Sequence, residues 1–311
     1  MFSIPYSIEK SITINRSVAD VYKLVADFAS WPQWSPWLSQ EPACPISIEG
    51  TSGMVGHSQS WNGSFIGSGK IYITAARLND HIDYDLKFIK PWKSESRTGF
   101  RFATVGENTK ISWWMRGTLP FFMFFMKKMM TTMIGIDYDR GLSMLKELLE
   151  TGTVLSETSI KGVVDCEPLY YLGKRRACDI SDVGPAMEED FAEMSRLLEK
   201  SKLPEPKRVF SIYHKYAMVQ GNCEYTSGFL YDAPQNAPEG VVSGQVPAHR
   251  AVRVDHRGAY RFLGNAWSAA IGYARSKHKI NKALPMYEIY PNSPKEVAEA
   301  EVLTEIYAPV K

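Results

Sequence analysis

The chain has 311 residues, too long for a typical single domain and suited to two of about 150 residues each. Its hydrophobic share of 44% and charged share of 23% are those of an ordinary globular protein. With 36 basic against 34 acidic residues and no long block of either sign, the net charge of +2 argues against a dedicated nucleic-acid binder, and no direct nucleic-acid contact is expected.

Cys44, Cys166, Cys178 and Cys223 show no CxxC spacing, which predicts reduced thiols in a cytoplasmic protein and no metal site. The start lacks a basic region followed by an apolar run, so no signal peptide is expected. The greasiest stretch, residues 119–126, gives way to Lys127 and Lys128, whereas a spanning helix needs about 20 residues, so no membrane span is expected. There is no GxxxxGK, GxGxxG or HExxH, hence no expected cofactor.

In the first half, Ile8, Lys10, Ile12 and Ile14 alternate as one side of a strand. Ser17 is placed to cap a helix in which Val18, Val21, Tyr22, Val25 and Phe28 recur at helical spacing. Trp31, Trp34 and Trp37 follow, with Pro32 and Pro36 between them, which permits only a short helix or turn. From about residue 45 to 118, glycine-punctuated runs at 70–76, 82–88, 98–103 and 110–116 predict an antiparallel meander. After Pro120 a helix is expected to about Glu150, with Phe121, Phe124, Phe125, Met129 and Met133 near one another and bends at Gly135 and Gly141. By alternation Trp113 points toward that helix, and Trp61, Trp113, Phe121 and Phe125 are candidate cavity walls, or simply core. His57 and His81 have no evident acid or nucleophile partner.

The small polar residues of 151–159 mark a linker. Beyond it a pattern of strand, helix, strand and strand occurs twice. The first copy runs from strands in 163–177 through a helix at Asp182, Pro185 and Phe191 to strands 208–214 and 224–231. The second runs through 248–255, 260–275, 286–290 and 302–307, its helix burying Leu263, Ala266, Trp267, Ala270 and Ala274, and residues 233–247 form the joining loop. Phe210-Ser211-Ile212-Tyr213 aligns with Tyr287-Glu288-Ile289-Tyr290 at an offset of 77, Thr226 with Thr304 at 78 and Gly184 with Gly258 at 74. Two such units give a sheet with both helices on one face and a cleft on the other. Alternation then sets Phe210, Ile212, Tyr287 and Ile289 under the helices, and Ser211, Tyr213, Glu288 and Tyr290 in the cleft.

The stretch 17–38, in which a helix leads into the tryptophan–proline segment, together with Trp61-Asn62-Gly63 and Gly69-Lys70-Ile71, resembles the START-like (SRPBCC, polyketide-cyclase-like) superfamily over roughly residues 6–152 of a first domain spanning 1–152. The resemblance implies a helix-grip sheet closing a long helix around an apolar cavity, in a superfamily of carriers, cyclases and hydrolases. Phe210–Tyr213, Val254-Asp255-His256-Arg257-Gly258-Ala259-Tyr260, Met286–Tyr290 and Thr304–Lys311 resemble the GyrI-like family, the effector-binding domain of AraC-type regulators, over residues 158–311. The fold class expected is therefore α+β, a helix-grip domain followed by a duplicated βαββ (SHS2-type) domain.

That second resemblance implies a cleft in which Glu288 meets cationic aromatic compounds. Tyr213, Tyr290, Ser211, Trp267 and Tyr307 are its candidate companions, with Trp61 and Trp113 in the first domain. Trp267 and Tyr307 have helix- or core-packing alternatives, and Glu288 has the alternative of a structural role, bonded to a neighbouring strand or to Arg250 or Arg253. The expected partner is a hydrophobic small molecule. Two further readings stay open: a hydrolase of strained-ring xenobiotics with Glu288 as acid or base, and an effector-binding component of transcription without its own DNA-binding domain.

Overall fold

The computed structural model describes residues 3–201 and 203–311, and the chain divides into two compact units after Val154. In the first, β1 (Ser3–Ile14) alternates inward and outward as its sequence requires. The Ser17 hydroxyl caps α1 (Val18–Ala26) by accepting the Asp20 N–H at 3.2 Å. A 3-10 turn at Phe28–Gln33 holds Trp31. Strands β2 (Ile46–Glu49), β3 (Ser58–Asn62), β4 (Ser68–Arg77), β5 (His81–Lys90), β6 (Ser94–Val105) and β7 (Asn108–Pro120) form an antiparallel meander. β1 joins it beside β7, giving the order β1-β7-β6-β5-β4-β3-β2.

Helix α2 (Lys127–Thr151) lies against β1 and β7 and ends at Gly152, whose left-handed backbone (φ 87°) returns its N–H to the Leu148 carbonyl. Helix α2 runs continuously through Gly135 and Gly141. Gly141 is a close-approach position: a Cβ there would sit 2.9 Å from both the Pro36 ring and Trp113. The helix thereby seats on the tryptophan–proline segment. Trp113 stacks on Tyr138 of α2 with centroids 4.0 Å apart, and Trp31, Trp34 and Trp37 ring it edge-on. The segment after Pro120 corrects the expected helix. Residues 121–126 form a 3-10 turn, and Phe121, Phe122, Phe124 and Phe125 are 62–69% exposed. Phe121 and Phe125 therefore wall nothing, because the helical stripe on which they were placed starts only at Lys127.

In the second unit β8 (Ser156–Cys166) begins inside the stretch expected as linker and pairs with β13. It is followed by β9 (Leu169–Asp179), α3 (Val183–Lys200), β10 (Arg208–Ala217) and β11 (Asn222–Tyr231). The joining loop contains a strand, β12 (Val242–Val246), which pairs with β9. Then come β13 (His249–Gly258), α4 (Gly264–Lys277), β14 (Met286–Tyr290) and β15 (Leu303–Val310). The antiparallel order is β12-β9-β11-β10-β14-β15-β13-β8. The two copies, β9-α3-β10-β11 and β13-α4-β14-β15, thus meet at β10 and β14 about a local two-fold. Ser211, aligned with Glu288 by the offset of 77, is also its direct cross-strand partner.

One expectation is reversed. Ser211, Tyr213, Glu288 and Tyr290 share the face that carries the helices: Ser211 Oγ meets Met187 Sδ of α3 at 3.8 Å, and the Trp267 indole of α4 reaches Glu288. Phe210, Ile212, Tyr287 and Ile289 lie on the other face and form a separate core with Ala251, Val246 and Tyr307. Alternation tells which residues share a face. It does not tell which face the helices cover when both are buried.

Candidate functional site

The local two-fold places α3 over β9 and β11, and α4 over β13, β15 and β8, so each helix covers one copy and the β10–β14 seam lies at their junction. Glu288 sits in that seam, in the middle of the five-residue strand β14, and is 1% exposed. Its Oε1 accepts hydrogen bonds from the Tyr213 hydroxyl at 3.2 Å and from Trp267 Nε1, and its Oε2 accepts one from the Tyr290 hydroxyl. Trp267 stands edge-on to Tyr213 at 5.4 Å, while Tyr260 and Phe191 stand edge-on to Tyr290 at 6.1 and 5.9 Å. The carboxyl group is therefore boxed by aromatic rings. Tyr213, Trp267 and Tyr290 are only half-buried and Tyr260 is 42% exposed, so the rings themselves separate the carboxyl from water.

The ion pair weighed for Glu288 is not formed. Arg253 binds Asp255 at 2.7 Å and Glu305 at 2.8 Å, and Arg250 approaches Asp165 at 3.9 Å. Among the described residues no basic side chain is bonded to Glu288. Burial raises its pKa above the ordinary carboxyl value, and the bonds from Tyr290, Trp267 and Tyr213 oppose that rise. Burial, with Glu288's charge next, pushes the Tyr213 and Tyr290 hydroxyls well above their usual range and Tyr260 up to about 12. Those hydroxyls stay protonated, as donors to a carboxylate must.

Tyr213, Trp267, Tyr290 and Glu288 are thus brought together. Ser211 faces Glu288 across the strand pair but is fully buried and bonded to Ser227 Oγ at 2.7 Å. Tyr307 does not join them. It pairs with Tyr287 across β14 and β15, stacks on that ring at 4.7 Å on the reverse face and donates to Glu305 at 2.9 Å. In the first unit Trp113 is a core residue, 2% exposed. Trp61 is half-buried, edge-on to Phe88 at 5.7 Å and lying over Gly69, where a Cβ would fall 2.5 Å from the indole. His57 is structural, accepting the Phe28 N–H at 3.4 Å with its other ring nitrogen 3.0 Å from the Glu49 carbonyl. Tyr260 and Phe191 are the box residues that sequence reasoning did not assign. Tyr260 closes the motif after Gly258, and its place at the entry to α4 was the available signal.

Two family models match the chain. Residues 163–311 match the GyrI-like small molecule binding domain, and residues 5–150 match polyketide cyclase / dehydrase and lipid transport. The chain is a polyketide-cyclase-like domain joined to a GyrI-like domain, as the sequence motifs implied, and both domains belong to small-molecule-binding families. Among solved structures, the EcmrR C-terminal domain is 18% identical, covering 51% of this chain and 99% of that one with a TM-score of 0.39. EcmrR in its DNA complex is 17% identical, with 59% and 65% covered and a TM-score of 0.43. A protein from Chromobacterium violaceum is 13% identical, with 46% and 96% covered and a TM-score of 0.36. No curated protein matches the chain.

Proposed function

We propose that the GyrI-like domain binds hydrophobic small molecules carrying a positive charge, with Glu288 as the counter-charge and Tyr213, Trp267, Tyr290 and Tyr260 as the walls. The observation that carries this reading is a buried carboxyl group whose hydrogen-bond partners are all aromatic side chains, with no basic side chain bonded to it among the described residues. An enclosed charge without a counter-ion is costly, and a cation that fits the box removes that cost. Each ring face adds roughly 0.5–2 kcal/mol through cation–π attraction. Entry requires one or more rings to swing aside, and their partial exposure makes them the movable layer.

Titration calorimetry with tetraphenylphosphonium and the neutral triphenylphosphine oxide tests the reading on the full chain. The wild type is expected to prefer the cation at least tenfold. Glu288→Gln is expected to lose about 30-fold or more of the cation's affinity, about 2 kcal/mol for a buried charge partner, and little of the neutral compound's. Equal affinity of the cation for both proteins would overturn it.

A further inference from the structure

We propose that one end of the first domain docks on an anionic lipid surface through an exposed aromatic tip ringed by lysines. The tip is built by neighbouring strands. β7 ends at Pro120 and runs directly into the turn that exposes Phe121, Phe122, Phe124 and Phe125. The connection from β5 to β6 reaches the same end: Phe88 pairs with Ser94, and Ser96 pairs with Gly117 of β7, three residues before Pro120. That connection exposes Ile89 and Trp92, 54% and 62% accessible, and β5 lies about two strand spacings, or 10 Å, from the end of β7 that leads into the phenylalanines. Met129, on the first turn of α2, continues the apolar surface at 43% exposure.

The unpaired charge around the tip is basic. Lys90 and Lys93 flank Trp92, Lys127 and Lys128 follow the phenylalanines, and all four are exposed. Residues 89–93 and 119–136 contain no acid at all. Glu95 is paired with Lys87 at 3.4 Å, and Glu41 is spent on the Ser64, Phe65 and Ile66 amides. A symmetric contact between two copies would set lysines against lysines. An anionic bilayer instead takes the rings into its headgroup boundary and the ammonium groups onto its phosphates, which is how aromatic side chains and lysines divide at such interfaces. No helix of the described residues is long and apolar enough to cross the membrane, so the contact is peripheral. The proposal is independent of Glu288.

The experiment is sedimentation of the full chain with vesicles of phosphatidylglycerol and phosphatidylcholine in equal parts, against vesicles of phosphatidylcholine alone. The wild type is expected to partition at least tenfold more strongly onto the anionic vesicles and to be released by salt. Lys127→Gln with Lys128→Gln is expected to weaken binding about fivefold for each lysine, and Phe122→Ser with Phe125→Ser to reduce it at least tenfold. As a check that does not depend on those variants folding, brominated lipid is expected to quench emission that Trp92→Phe abolishes. Wild type left in the supernatant with both vesicles, or emission indifferent to brominated lipid, would overturn the proposal. So would a chain that ignores vesicles but whose phenylalanine variants lose a dimer or a protein partner.

Discussion

Replacing Glu288 by glutamine removes a buried charge while keeping the side-chain volume, and its effect on stability has a definite sign with pH. Burial raises the carboxyl pKa in the folded domain above its ordinary value of 4.5, so over a window above 4.5 the folded protein keeps a proton that the unfolded chain has released. Stability from a raised carboxyl is full below the unfolded value and is lost as pH rises through the folded value. Glutamine does not titrate. The wild type should therefore lose ground to Glu288→Gln as pH rises through that window, at no more than about 1.4 kcal/mol per pH unit for one proton. In a domain of this size each kcal/mol moves Tm by about 2–4 °C. Trp267 is the single tryptophan beyond Val154 and bonds to Glu288 itself. The assay is urea unfolding from pH 4.5 to 8.5, followed by the 19F resonance of fluorotryptophan at position 267. A wild type that gains on the variant with rising pH, or parallel profiles throughout, would refute the argument from burial.

Gly141→Ala should destabilise the first domain by about 1–3 kcal/mol in denaturant, because the new methyl group meets Pro36 and Trp113 at 2.9 Å in a packed interior. Ser17→Ala should cost about 1 kcal/mol by leaving the Asp20 N–H uncapped, again read from the denaturation midpoint. Asp190 is fully buried in α3 and meets Arg176 Nη2 at 2.7 Å while accepting from the Tyr225 hydroxyl at 2.8 Å. Arg176→Gln should lower the stability of the second domain by about 2 kcal/mol. That is below the usual cost of breaking a buried pair, because Arg176 is itself a third exposed. A variant as stable as the wild type would show the pair to be dispensable.

Much of the architecture was legible from periodicity alone. The offset of 77 between Phe210–Tyr213 and Tyr287–Tyr290 announced the duplication, and the observed pairing of Ser211 with Glu288 is that same alignment expressed in space. Alternation likewise grouped Tyr213, Tyr290 and Glu288 on one face. What alternation lacks is a sign. With apolar residues at Phe210, Ile212, Tyr287 and Ile289, that face was assigned to the helices, yet it forms a core of its own while the polar face lies beneath α3 and α4. The motifs place Tyr307 with Glu288, whereas its strand neighbour is Tyr287, a register that only the β14–β15 pairing reveals. A period of 3.6 places the phenylalanines after Pro120 on a helix, but the backbone there is 3-10, and Phe121 and Phe125, expected in a cavity wall, are exposed.

The most direct test of the Glu288 site is a crystal structure of the full chain with tetraphenylphosphonium. The phosphonium is expected in the β10–β14 seam beside the Glu288 carboxylate, with at least one of Tyr213, Trp267 and Tyr290 swung off its bond to that carboxylate. A cation bound elsewhere, with all three bonds still closed over Glu288, would contradict that expectation.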